Sequence, residues 1–141
     1  MEGLQVVCFA VGPFRCALDI LGVREIIEPT PPQPVPHAAP GVEGVIELRG
    51  VFLPVVDLRR RLGATIGPPG KYVVVQPQPA EPGVRIALVV DQVHDVRRWS
   101  RDLLAPPPPL AQGGGPPCVA GVVKQGDEVV MLLDLPQLLV Q

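Results

Sequence analysis

Aromatic side chains are scarce in this chain. Three phenylalanines, one tyrosine and one tryptophan make up 4% of its 141 residues, too few for the stacking platforms on which single-stranded nucleic acids are held. Positive charge is not in excess either. Twelve basic residues against fourteen acidic ones leave a net charge of −2, so no basic field is offered to a phosphate backbone and no nucleic-acid partner is expected. Cysteine is sparse. Cys8, Cys16 and Cys118 form an odd, widely spaced set without a Cys-x-x-Cys pair, which speaks against a disulfide framework and a zinc site and fits reduced thiols in a cytoplasmic protein. The apolar run from Val6 to Val11 lacks a positive flank and a cleavage site, so no signal peptide is expected. Nowhere do about 18 apolar residues run together, so no membrane insertion is expected. A phosphate loop is also missing: Gly113-Gly114-Gly115 leads into Pro116-Pro117, which blocks a helix start with free amides.

What the chain does have is 47% hydrophobic residues, with 20 prolines and 15 glycines. These breakers gather at 29–40, 68–70, 77–83 and 106–117, and short β-branched runs lie between them. That alternation predicts an all-β sandwich or barrel. Strands are expected near 4–11, 14–20, 45–48, 51–56, 71–76, 84–90, 119–124 and 128–133. Gln125-Gly126-Asp127 reads as a hairpin turn. The run of prolines at 106–109 reads as a stiff loop. Asp57 precedes LRRRL and Asp134 precedes LPQLL. Each aspartate can cap a short helix, and Pro136 is tolerated in a first turn.

The chain also repeats itself. ALDILGVREI from Ala17 aligns with ALVVDQVHDV from Ala87, placing Val23 on Val93 and Glu25 on Asp95. Gly44-Val45 lies thirteen residues before Asp57-Leu58, and Gly121-Val122 lies thirteen before Asp134-Leu135. Two similar small β-units follow, each too small to stand comfortably alone, sharing one core. They are expected to be formed roughly by 15–85 and by 86–141 plus the N-terminal segment, within one domain spanning 1–141.

No nucleophile motif or converging set of polar groups marks an enzyme. Asp57 and Asp134 are accounted for as caps, Asp91 as the opening of a turn, and His37 and His94 as surface residues. Arg59-Arg60-Arg61 reads as a solvated helix face, and Trp99 as a core residue. Arg49 stands apart. It falls on Gly126 in the repeat, and Gly50 can serve the turn. An arginine between apolar strands must find a carboxylate or meet water, and Glu25 and Glu47 are the candidate partners.

Four blocks carry a family resemblance: ALDILGVREI at 17–26, GVIELRGVFLPVVDLRRRLG at 44–63, IALVVDQVHDV at 86–96 and GVVKQGDEVVMLLDLPQLL at 121–139. In this order the chain resembles the CheW family of chemotaxis coupling proteins. The resemblance implies two intertwined SH3-like five-stranded β-barrels with short helices. It also implies a non-enzymatic adaptor without cofactor or metal, cytoplasmic and associated with membrane receptor arrays. The implied partners are the regulatory domain of a CheA-type histidine kinase and the cytoplasmic hairpin tip of chemoreceptors. The receptor tip would lie in an apolar groove between the barrels formed by Val23, Gly44 and Val93, with Ala87 near it, while the motif arginine Arg49 would pair with Glu25. The kinase would use barrel ends and exposed strand edges. Two residues depart from the family pattern: Glu47 replaces the usual asparagine and Ala87 the usual glycine. A scaffold or antagonist that binds receptor but not kinase, in a system other than chemotaxis, is the alternative.

Overall fold

The computed structural model describes residues 3–107 and 118–139. The triple glycine at 113–115 and the second half of the proline run at 106–109 lie outside the described residues. Ten strands follow one another as β1 (Gly3–Val11), β2 (Phe14–Asp19), β3 (Val23–Ile27), β4 (Val42–Leu48), β5 (Val51–Asp57), β6 (Lys71–Val75), β7 (Ile86–Val90), β8 (Gln92–Ser100), β9 (Val119–Gln125) and β10 (Glu128–Leu133). Two short helices, α1 (Leu58–Leu62) and α2 (Leu135–Leu138), follow β5 and β10. The architecture is all-β, as two five-stranded SH3-like sheets in the orders β8-β1-β2-β10-β9 and β3-β6-β7-β5-β4. Each sheet curls until its outer strands nearly meet. One bridge, Gln33 to Val45, links the segment after β3 to β4, and another, Ala105 to Val122, links the segment after β8 to β9.

The repeat is visible strand by strand, β1–β5 against β6–β10. Each sheet holds one parallel pair, and their registers correspond: Val55 lies opposite Ala87 as Leu132 lies opposite Ala17. The bulges correspond too. One skips Arg24 in β3 and His94 in β8, and the other skips Glu43 in β4 and Ala120 in β9. Yet neither repeat makes a sheet alone. The leading hairpin of each is built into the other's sheet, so β1 and β2 join β8, β9 and β10. The division between the sheets accordingly falls after Asp19 and after Val90, not near 15 and 86: β2 belongs with β10, and β7 with β5.

Strands β3 and β8 carry no strand expectation of their own in the sequence. Both are outer strands with a largely exposed face, so VREII and QVHDVRRWS mix charges with apolar residues and present no continuous β-branched run. The core has three parts. A central cluster takes Phe9, Cys16 and Leu18 from one sheet and Val73, Val75 and Leu88 from the other. Trp99 lies in the cluster inside the first sheet, and Tyr72 in the cluster inside the second. Burial pushes the Cys16 thiol up to about 12, with neighbouring Cys118 adding to the shift.

Candidate functional site

The two sheets meet at two places, and the repeat relates one to the other. At the first, the sequence expectation of a solvated Arg59-Arg60-Arg61 face is overturned. Arg59 is 3% exposed. Asp57 caps α1 by accepting from the Arg59 amide at 2.9 Å and also takes the guanidinium on both oxygens, Nε at 2.9 Å and Nη2 at 3.0 Å. Nη1 donates to the carbonyls of Gly67 at 2.7 Å and Pro68 at 3.1 Å, and to Asp91 Oδ1 at 3.2 Å. Asp91 in turn accepts from the Gly12 amide at 2.5 Å. Gly12 lies in the β1–β2 turn with φ at +56°, so the network ties the first sheet to the second. Its hydrogen bond to Asp57 raises the Arg59 pKa above the ordinary arginine value, while burial pulls the other way. Arg60 keeps its place on the surface, paired with Glu43 at 2.9 Å. Asp57 and Asp134 are the helix caps expected from the sequence, Asp134 through the Gln137 amide at 3.1 Å, and Asp57 and Asp91 together also hold Arg59.

At the second meeting place the positions matching Arg59 and Asp91 are Pro136 and Leu21. No ion pair forms there among the described residues, and a groove of roughly 480 Å³ remains. Its walls include Leu18 and Leu133 from the first sheet, Leu135 and Pro136 of α2, and Pro77 and Pro79 beyond β6. Leu21 stands at its mouth, 81% exposed on the short 3-10 turn that Asp19 caps through the Leu21 amide at 2.9 Å. The polar side is Arg24, whose Nε donates to Gln76 Oε1 at 2.7 Å. Gln76 is buried and donates to the carbonyls of Gln78 at 3.1 Å and Pro79 at 3.3 Å. Its hydrogen bonds therefore hold the proline loop in position.

Of the residues expected at a groove, Val23 and Val93 are half-buried on β3 and β8 and rest against the central cluster. Val23 adjoins Gly22 and Arg24 on the groove wall. Gly44 and Ala87 are elsewhere. Ala87 is 0% exposed in the core of the second sheet. Gly44 has φ at +151°, and a Cβ there would collide with the Gln33 carbonyl. Its lack of a side chain is what lets the Gln33 segment close onto β4. Arg49 pairs with Glu25 rather than Glu47. It is also the turn residue itself: φ is +50° at Arg49 and +82° at Gly50, the two left-handed residues of a type I′ hairpin loop. The ion pair reaches from the β4–β5 turn to β3 and spans the seam that the sheet leaves open. On the first sheet Arg97 of β8 spans the matching seam to the Gln125 side chain of β9.

Sequence reasoning missed Leu21, Arg24, Gln76 and the proline walls. One signal was available: the repeat sets Leu21 against Asp91, so one unit carries a leucine where the other carries a carboxylate.

Among the described residues no group of three or more His, Cys, Asp or Glu is arranged to hold a metal ion, and no helix is long and apolar enough to cross a membrane. The CheW-like domain family model matches residues 5–141. The chain is 39% identical over 107 residues to the chemotaxis protein CheW of Rhizobium meliloti, covering 74% of this chain and 68% of that one. It is 29% identical over 144 residues to the chemotaxis protein CheW of Treponema pallidum, covering 97% and 82%. Its fold is similar to the crystal structure of the scaffolding protein TtCheW from Thermoanaerobacter tengcongensis, with a TM-score of 0.80 and 26% identity over 94% of this chain and 89% of that one. Two curled sheets that exchange their leading hairpins, a four-block sequence pattern and a family match along almost the entire chain agree: this protein belongs to the CheW family.

Proposed function

We propose that this chain is a non-enzymatic adaptor that couples chemoreceptors to a CheA-type histidine kinase, working in the cytoplasm beneath receptor arrays. Family membership and relatives named as chemotaxis and scaffolding proteins support the reading. The observation that carries it is the open groove at the sheet junction. Its apolar walls and the exposed Leu21 suit the apolar face of a helical hairpin, the recognition mode in which a helix lies in a groove. Val23, between Gly22 and Arg24 of its wall, would flank that contact, whereas Val93 lies two residues from Asp91 at the other junction. The kinase regulatory domain would dock at the outer strands, whose unpaired backbone groups are templates for association.

Glu47, where the family usually has asparagine, favours a second reading in which the chain binds receptor but not kinase. Ala87 lends that reading nothing, because its methyl group is sealed in the core. Separate co-purification with a kinase regulatory domain and with a receptor hairpin fragment decides the matter. Retention of both is expected. Retention of the receptor fragment alone selects the second reading, and retention of neither overturns both.

A further inference from the structure

The outer face of the β4–β5 hairpin carries Phe52, which is 70% exposed. Its cross-strand partner is Glu47, so ring and carboxylate rise side by side from one face. With Thr30, Pro31, Gln33 and Val45 they line a groove of roughly 330 Å³. The nearby cation does not neutralise this carboxylate. Arg49 is engaged by Glu25, and Glu47 makes no ion pair or side-chain hydrogen bond among the described residues. In the other repeat the matching cross-strand pair is Lys124 and Val129, which has neither an acid nor a ring. The feature is therefore peculiar to one sheet and is not imposed by the fold.

We propose that this groove binds an arginine side chain presented by a partner protein. The guanidinium forks onto the Glu47 carboxylate while its plane lies on the Phe52 ring, and its methylene stem runs over Pro31 and Val45. Arginine suits the site better than lysine. Its flat, weakly hydrated head offers paired donors and a stacking face at once, whereas an ammonium is a compact, strongly hydrated point charge. The site is separate from the groove at Leu21 and does not depend on what occupies that one.

The test is an amide chemical-shift titration of the isotope-labelled full chain with Nα-acetyl-arginine-N-methylamide and, in parallel, with the citrulline analogue, which keeps the shape and loses the charge. Shifts centred on Val45–Glu47, Phe52 and Gln33 are expected with arginine, with at least tenfold weaker binding of citrulline. Glu47→Gln keeps the shape and loses the charge, Phe52→Leu stays apolar and loses the ring, and they are expected to weaken the arginine response at least tenfold and about threefold, with the other resonances unmoved. Equal binding of citrulline, shifts centred on other exposed carboxylates such as Glu81 or Asp102, or an unchanged response in Glu47→Gln overturns the proposal. Glu47-dependent self-association in sedimentation velocity, with Lys124 of a second copy filling the groove, overturns it as well.

Discussion

At one junction of the two sheets a buried arginine is clasped by two aspartates; at the other, the matching residues are a proline and a leucine, and the space between them is open. The backbone frame is nearly the same in both places, down to the parallel registers and the bulges. What differs is side-chain chemistry. The Arg59 network satisfies nearly every donor it buries with two carboxylates and two carbonyls, and the Gly12 amide donates in turn to the second carboxylate, so it can hold charge away from water. Pro136 and Leu21 have no polar groups to satisfy and leave apolar surface unfilled. A duplicated fold thus has one end locked by hydrogen bonds and one end left open. The proposed adaptor role would use both, because a contact surface transmits geometry only if the body behind it does not yield.

The sharpest way to break this comparison is to remove the lock. Arg59→Met leaves Asp57 and Asp91 without their cation, and a loss of about 3–5 kcal/mol in urea-unfolding free energy is expected. Pro136→Ala at the matching site is expected to cost about 1 kcal/mol or less. Equal losses in the two variants would mean that the ends are not chemically distinct. At the open end, Leu21→Asp puts a charge on the exposed apolar residue. A tenfold or greater loss of affinity for a receptor hairpin fragment is expected, about 1.4 kcal/mol, with unfolding unchanged because Leu21 is already in water. Unaltered affinity would remove the groove from the receptor contact.

Two smaller effects sharpen the contrast between the repeats. Cys16 in β2 takes the place that Ile86 holds in β7. Its thiol titrates near 12 in the folded state because it is buried, against roughly 8.5 when unfolded. The folded form thus holds the proton over that interval and the unfolded form does not. The contribution is complete below about pH 8.5 and is lost as pH rises toward 12, with a slope of at most about 1.4 kcal/mol per pH unit. Cys16→Val should flatten that part of the alkaline stability profile, and an unchanged slope would show that the thiol is not its source. The last effect is that of Arg49→Gly, expected to raise stability by about 0–2 kcal/mol. It gives up an exposed ion pair worth about 0–1 kcal/mol and relieves a left-handed arginine that costs about 1–2 kcal/mol. Gly126→Arg in the other hairpin has strain to gain and no glutamate opposite, and is expected to destabilise by about 1–2 kcal/mol. Thermal unfolding of the two single variants tests the pair.

The repeat, the strand-rich class, both helix caps and the hairpin at Gly126 were legible because each is written locally, in spacing or in one capping residue. From the residues alone the Arg49–Glu25 pair was one of two choices, since Glu47 is nearer in sequence and the turn geometry that aims Arg49 at β3 has no signature around it; the family resemblance singled out Glu25. Arg59 was read as solvated because its second carboxylate, Asp91, and the amide of Gly12 are distant in sequence and arrive only when the sheets meet. The groove was illegible for the same reason: its walls come from β2, β3, β10, α2 and the loop after β6. Phe52 and Glu47 sat in the quoted motif, but nothing in the spacing says that the pair faces outward.

The exchange of leading hairpins also governs the order in which the chain can be assembled. Ala17 of β2 packs with Val123 and Val130, so it is covered only once β9 and β10 have been made, and the β1–β2 hairpin waits longest for a neighbour. For most of synthesis it carries an unpaired edge and bare apolar residues, the condition in which nascent chains adhere to one another. The second sheet, whose five strands run from β3 to β7, is complete much earlier and can serve as the floor on which the waiting hairpin rests. The connectivity thus favours an order in which β3 to β7 settle before β8, β9 and β10 close over the β1–β2 hairpin.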